Sequence, residues 1–366
     1  MEPSRERRRR VRVPTGPPSS HSDGRGSLLA LGPPRGCSDI ARRHPRRSSV
    51  PPVLRSVLLV LALVLGACSG AAPASPPASS PSAVPPSALA TATSTAAPIT
   101  ILDDAGRSVT LAAPPARIVT SAPSATELAF ALGLGDAVVA VDKYSNYPPE
   151  AASKASIGSY IEPDLEAIVG ARPDLVVVTG VHLAELVPAL DARKIPTVVL
   201  DARNIEGVYA DLLLLGRATG RREQAEALVD ELRARVAAVD RAIAGADPVR
   251  TFYEIDPTLY TAGPGTFIDD LIRRAGGTNV AAGAATAYPQ LSAEEVVAAD
   301  PEVIILADEA AGVSPEAVGA RSGWARVSAV ASGRIAVLDP DIGSRPGPRI
   351  VDALEAIARI LHPDRF

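Results

Sequence analysis

Cysteine is nearly absent: the 366 residues include two, Cys37 and Cys68. Histidine is scarce as well, with four scattered copies at His21, His44, His182 and His362. These shortages exclude a disulfide framework and a zinc site built from His/Cys clusters. Aromatic residues amount to 3%, comprising four Phe, seven Tyr and one Trp, so the places they occupy are informative. Basic charge is outnumbered through most of the chain. The net charge of −4 averages a basic N-terminal stretch with an acidic remainder, and from Cys68 onward 24 Lys and Arg face 37 Asp and Glu, a net of −13. A segment that acidic is poorly suited to phosphate backbones, so no nucleic-acid partner is expected.

Signatures of covalent chemistry are also missing. Thr261–Thr266 (TAGPGT) is glycine-rich but lacks the Lys-Ser/Thr of a phosphate loop, and Gly133-Leu134-Gly135 lacks the rest of a dinucleotide fingerprint. Both read as turn glycines. Asp339-Pro340-Asp341 has too few further oxygen ligands for a calcium loop. Neither a nucleophile elbow nor an HExxH pair occurs. The expectation is a protein that is not an enzyme and carries no cofactor or resident metal.

The N-terminus reads as an address. The apolar run Val53–Ala67 (VLRSVLLVLALVLGA) follows a basic stretch at Arg42–Arg47 and ends in small residues. It falls short of the ~20 residues needed to span a bilayer, as a secretory signal does. Its end, Leu65-Gly66-Ala67-Cys68, resembles the bacterial lipobox, in which the cysteine is acylated. Residues 69–98 are almost wholly Ala, Pro, Ser and Thr, a composition that cannot bury a core and forms a tether. Residues 1–52 are expected to be disordered or to precede a true start near Val50, Val53 or Leu54. The expected location is extracytoplasmic, with lipid anchoring to the outer face of the membrane.

From Ile99 the chain folds. Ile99–Leu111 (ITILDDAGRSVTL) alternates apolar residues around a turn, as a hairpin does. Strand candidates follow at Arg117–Thr120, Ala137–Val141, Leu175–Thr179, Thr197–Leu200, Thr251–Ile255, Val303–Leu306 and Ile335–Leu338. Helix-like stretches separate them, which argues for parallel sheets covered on both faces. Residues 221–246 place Ala225, Leu228, Val229, Leu232, Val236, Val239 and Ile243 at spacings of three and four, predicting one long amphipathic helix. It divides an N-lobe (99–220) from a C-lobe (247–366).

The lobes repeat each other. Leu165–Val178 (LEAIVGARPDLVVV) overlays Ala293–Leu306 (AEEVVAADPEVIIL) without a gap, at an offset of 128 that also pairs Tyr160 with Tyr288 and Glu166 with Glu294. Each copy reads as a short helix, a proline that stops it, an acid and a buried strand. Ser124–Val139 and Gly265–Val280 correspond more loosely. The fold class is therefore α/β, two Rossmann-like lobes with parallel sheets joined by one long helix, and a ligand belongs in the cleft between them.

Six tyrosines (Tyr144, Tyr147, Tyr160, Tyr253, Tyr260 and Tyr288) fall at or near strand-to-helix loops, where they either stack on a flat ligand or cap the core. Glu166 and Glu294 sit in first helical turns behind N-caps Asp164 and Ser292, with Glu295 completing a capping box. Such acids stabilise a helix by about 0.3–1 kcal/mol through its dipole. As an equivalent pair they could equally meet a partner with two-fold related basic pockets.

Arg117–Leu128 (RIVTSAPSATEL), Tyr147–Pro149 (YPP), Pro163–Glu166 (PDLE), Arg172–Leu175 (RPDL), Tyr260–Gly265 (YTAGPG), Tyr288–Ser292 (YPQLS) and Arg345–Arg349 (RPGPR) resemble, in this order, the class III solute-binding proteins of ABC importers. The resemblance runs from Arg117 to the C-terminus. It implies capture of cobalamin, haem or a ferric siderophore with little hinge motion. It also implies that Glu166 and Glu294 dock on a permease dimer with its ATPase subunits. The chain is most similar to the cobalamin binders, which implies a pocket of Tyr144, Tyr160, Tyr260, Tyr288, Asp341 and Arg345, in a monomer. It departs from them in having Tyr160, Thr179 and Tyr288 where they tend to carry tryptophan.

Overall fold

The computed structural model describes residues 97–308 and 311–366. The signal segment, Cys68 and all but the last two residues of the tether therefore lie outside the described residues. Among the described residues no helix is long and apolar enough to cross a membrane.

Strands β1 (Ile99–Leu102) and β2 (Ser108–Leu111) form the expected antiparallel hairpin. Gly106 takes a left-handed φ of 72° in its turn, and Asp103 Oδ1 accepts the Arg107 N–H at 2.8 Å. The N-lobe continues through β3 (Ile118–Thr120), α1 (Pro123–Ala131), β4 (Val138–Val141), β5 (Ala155–Ser156), α2 (Leu165–Gly170), β6 (Leu175–Thr179), α3 (Leu186–Asp191), β7 (Thr197–Leu200) and α4 (Ile205–Thr219). Helix α5 (Arg222–Ala242) leads into the C-lobe: β8 (Val249–Glu254), α6 (Phe267–Arg274), β9 (Gly277–Asn279), α7 (Ala293–Ala299), β10 (Val303–Leu306), α8 (Pro315–Gly319), α9 (Ser328–Ala331), β11 (Ile335–Val337), α10 (Pro340–Gly343) and α11 (Ile350–Leu361).

The N-lobe sheet has the order β5-β4-β3-β6-β7 and the C-lobe sheet β11-β10-β8-β9, both parallel throughout. Read in the same direction, β4-β3-β6-β7 corresponds to β9-β8-β10-β11, so the two lobes share one topology. In each, the chain leaves the first strand to one side and returns on the other. That leaves a switch point between β3 and β6 and between β8 and β10, where such sheets bind ligands.

The repeated segment shows why its residues recur. Asp164 and Ser292 cap α2 and α7, and Glu295 closes the capping box by accepting the Ser292 N–H at 2.7 Å. That bond holds the Glu295 carboxyl below its usual range. Arg172 and Asp300, equivalent at the helix ends, both adopt left-handed backbone, with φ of 49° and 45°. Proline follows each and forbids another turn. The acid after the proline, Asp174 or Glu302, accepts the backbone N–H of Arg117 or Arg250 at 2.9 and 3.0 Å. Those arginines in turn donate to carbonyls at the ends of α2 and α7.

Four strand assignments gain or lose residues at their ends, and the edge strands β5 and β9 have too short an apolar run to read from sequence. The larger difference is at the crossover. Helix α5 begins and ends within the expected range, but it is preceded by α4, which packs against it and ends at Gly220, whose φ of 70° turns the chain. Helix α4 is buried nearly all round, including Leu212, Leu214 and Leu215, so its sequence shows no polar face. A Cβ at Gly216 would come within 2.6 Å of the Ala225 Cβ, which shows how closely the two helices pack.

One hydrophobic core runs through both lobes, from Ile118, Leu128 and Val177 through Val229, Leu232 and Val236 of α5 to Tyr253, Ile305 and Leu354. Alternate strand residues face outer clusters: Val176 and Val178 in the N-lobe, and Ile304 and Leu306 with Phe252 and Trp324 in the C-lobe. Because the shared core is close-packed, opening the lobes widely would expose apolar surface, at about 25 cal/mol for each Å².

Candidate functional site

A cavity of about 670 Å³ lies between the lobes at the C-terminal ends of both sheets. The N-lobe contributes Tyr144 beyond β4, Tyr160 beyond β5, Thr179 to Val181 at the end of β6, and Asp201 beyond β7. The C-lobe contributes Thr266 and Phe267 at the start of α6, Tyr288 beyond β9, and Asp341 and Arg345 beyond β11. The strand ends that the topology brings together are thus the ends that carry the tyrosines. The lining is mainly apolar and includes Asp201, Arg203, Asp341 and Arg345.

Tyr144 and Tyr160 meet edge to face, with ring centroids 6.0 Å apart and planes at 69°. Lys143 Nζ lies 4.9 Å from the Tyr144 ring centre. Each tyrosine stands on a buried polar group beneath it. Asp142 accepts the Tyr144 N–H at 2.8 Å and the Ser145 hydroxyl, and burial pushes its carboxyl above the usual range. His182 reaches the Tyr160 carbonyl with Nε2 at 2.6 Å. Across the cleft, burial raises the pKa of the Tyr288 hydroxyl, and the nearby Asp201 carboxyl and Tyr160 raise it further. All three rings remain partly exposed, Tyr288 by 49%, and exposed aromatics gathered in one cleft mark a binding site.

Asp341 and Arg345 line the cavity, but their polar atoms are engaged with the protein itself. Arg345 Nη1 donates to Asn146 Oδ1 at 2.7 Å and to Glu127 Oε1 at 3.3 Å, and its other nitrogen meets Asp341. Asn146 Nδ2 donates to the second Asp341 oxygen at 2.7 Å. Arg349 forks onto Glu127 at 2.9 and 2.7 Å. Glu127 belongs to the N-lobe and both arginines to the C-lobe, so these residues tie the lobes along one wall of the cleft.

Three tyrosines assigned to loops lie elsewhere. Tyr260 does not line the cavity: its backbone forms a bridge with Gln290, and its carbonyl accepts the Ile255 N–H at 2.9 Å. Tyr253 belongs to β8, is fully buried, and donates its hydroxyl to the Gly343 carbonyl at 3.1 Å. Tyr147 faces a separate cavity and stacks under Arg349, whose guanidinium carbon is 3.9 Å from the ring centre. Sequence reasoning missed Glu127, His182, Asp142 and Asp201. For Glu127 a signal existed, since it is the one charge in the stretch Pro123–Ala131.

Glu166 and Glu294 are exposed in the first turns of α2 and α7. Arg193 approaches Glu166 no closer than 3.8 Å, and that carboxylate's side chain is 84% exposed. No cluster of three or more acidic, Cys or His side chains suited to a metal ion occurs among the described residues.

Comparison with known proteins accords with this geometry. A family model for the periplasmic binding protein matches residues 118–342. An uncharacterized ABC transporter substrate-binding lipoprotein of Bacillus subtilis is 31% identical over 278 residues, 74% of this chain and 87% of that protein. A cobalamin-binding protein of Halobacterium salinarum is 34% identical over 275 residues, covering 72% of this chain and 74% of its own length. A periplasmic heme-binding protein solved in complex with two hemes superposes with a TM-score of 0.64 at 26% identity, over 68% of this chain and 99% of that one. The chain belongs to the periplasmic binding protein family and is a substrate-binding protein of the ABC-transporter type, a family of solute-binding proteins and not of enzymes.

Proposed function

From that membership and from the tyrosine-lined cleft, we infer that the protein captures a cobalamin-like corrinoid between its lobes and delivers it to an ABC permease. The observation that carries this reading is the convergence of Tyr144, Tyr160 and Tyr288 from both lobes on one cavity. Exposed phenol rings on opposing rims suit a broad, flat, partly apolar guest, which they hold by stacking. Asp201 and the backbone around Thr179 and Gly180 offer polar contacts at its edge. The cobalamin-binding relative supports the same ligand class.

A second reading, haem or another iron chelate, draws on the heme-binding structure. Tyrosine ligates ferric iron as phenolate, and burial, with the Asp201 carboxyl nearby, opposes loss of the Tyr288 proton. At Tyr288 the cleft therefore favours stacking by a neutral phenol. Calorimetry with cyanocobalamin and visible-absorbance titration with hemin test the choice directly. Tight cyanocobalamin binding without a hemin spectral shift supports the corrinoid, and the reverse result replaces it. Changing Tyr160 and Tyr288 together to alanine is expected to weaken cyanocobalamin binding about 100-fold, since an aromatic contact contributes about 0.5–1.5 kcal/mol beyond its buried area. Unchanged affinity would remove both rings from the site.

In this reading the acylated Cys68 and its tether hold the receptor at the outer face of the membrane, and the permease dimer with its ATPase subunits grips Glu166 and Glu294. Cys68→Ser should shift the protein from the membrane fraction to the soluble fraction of its host. Persistent membrane association would exclude the lipid anchor.

A further inference from the structure

Among the described residues, His182 is the one histidine that touches the cleft machinery. It follows β6 in a short 3₁₀ turn, Gly180–His182, and is 3% exposed. Its Nδ1 accepts the Thr179 backbone N–H at 3.1 Å and lies 3.2 Å from Thr179 Oγ1 and 3.3 Å from Ser121 Oγ. A backbone N–H can only donate, so Nδ1 carries no proton and the ring hydrogen is on Nε2. Nε2–H therefore donates to the Tyr160 carbonyl at 2.6 Å.

That bond fixes the loop that presents Tyr160. The loop is closed by the bridge between Gly158 and Pro163 and by the Asp164 N–H to the Ile157 carbonyl at 2.7 Å. Between those clamps, the hydrogen bond from His182 fastens the Tyr160 backbone to the end of β6, beside the cavity wall formed by Thr179 and Val181. The Tyr160 ring in turn braces Tyr144.

We propose that His182 is a positioning residue whose neutral imidazole sets the Tyr160 wall of the cleft, so that acidification loosens the wall and lowers ligand affinity. The inference rests on the cleft being the ligand site. A second proton on Nδ1 would point at the Thr179 N–H and remove the acceptor that orients the ring, while one hydrogen bond contributes about 0.5–1.5 kcal/mol. Burial favours the neutral form and holds the imidazole below its ordinary 6.5, while the Tyr160 carbonyl and the Asp142 charge favour the cation. Glu162 and Glu185 line the same N-lobe surface cavity as His182. Binding that needs neutral His182 is intact at neutral pH and is lost as pH falls through the imidazole pKa, below 6.5.

The test uses the whole protein, cyanocobalamin and two variants. Wild-type affinity by calorimetry should fall about tenfold between about pH 7.5 and 5, the size of one lost hydrogen bond. His182→Gln can still donate to the Tyr160 carbonyl but cannot titrate, so it should bind close to wild type at neutral pH and show a flat profile. His182→Ala should bind weakly at both ends. A wild-type profile that is flat, or a Gln variant that falls as steeply as wild type, overturns the proposal. A readout without ligand separates it from the ligand assignment: in the free protein, the Tyr160 and Ile161 amide NMR signals should follow the imidazole titration. If cyanocobalamin does not bind at all, the corrinoid reading fails and those amides decide alone. Signals that track His182 sustain the positioning role, and signals that ignore it end it.

Discussion

Reversing both Glu166 and Glu294 to lysine is expected to reduce stimulation of the cognate permease ATPase to its basal rate and leave cyanocobalamin affinity within about twofold. The expectation follows from where the two side chains are. Each projects from the first turn of a helix at the same position of the internal repeat, exposed to solvent, while the nearest cation to Glu166 is 3.8 Å away. Neither lines the inter-lobe cavity. Loss of a first-turn acid costs the helix about 0.3–1 kcal/mol through its dipole, too little to unfold a core shared by both lobes. Facing basic pockets, however, each reversal turns attraction into like-charge repulsion, which costs several kcal/mol at an interface. ATPase activity in proteoliposomes, measured beside calorimetry and a thermal melt of the same variant, distinguishes docking from misfolding. Stimulation that survives in the double variant removes these glutamates from the docking surface.

The parts of the molecule that were legible in the sequence are those fixed by local chemistry. N-caps Asp164 and Ser292, prolines at 173 and 301, and the strands behind them lie within a few residues of each other, so a gapless repeat announces them. The hairpin was legible for the same reason. Helix α4 was not, because it is packed on almost every side and its four consecutive leucines show no periodic face. Short edge strands such as β9 gain their order from a neighbour and not from their own apolar run.

The cleft was legible in part. Tyr144, Tyr160 and Tyr288 follow strand ends, and topology carries them to one edge. Tyr260 also follows a strand, but its backbone is drawn into a bridge with Gln290 that takes it off the cavity wall. Asp341 and Arg345 line the cavity, but Glu127 and Asn146, which hold Arg345, come from the other lobe. Arg349 and Glu127 are 222 residues apart, a distance across which no local pattern can signal a contact. The histidine that anchors Tyr160 gave no sign either, since a lone His in a loop has no spacing to read.

The inter-lobe tie leads to the second large effect. Glu127→Ala should destabilise the protein by about 3–5 kcal/mol, the cost of breaking a buried ion pair from one side. The glutamate side chain is 2% exposed and the guanidinium groups of Arg345 and Arg349 are 13% and 17% exposed, so water can replace the lost carboxylate only in part. Two cations would then face each other with one anion, Asp341, left to share. Urea unfolding at neutral pH measures this, and a loss below about 1 kcal/mol would place the pair among surface bridges of little energetic consequence. Replacing Glu127, Arg345 and Arg349 together by apolar residues of similar volume should restore much of the loss, because the penalty comes from the orphaned charges and not from the missing attraction. Ligand affinity separates stability from function. The tie holds both tyrosine rims at one spacing before a guest arrives, so the triple variant, stable but without its strap, should bind cyanocobalamin more weakly than wild type through lost pre-organisation. If it binds as tightly, the shared core and α5 alone set the width of the cleft, and the charges serve folding.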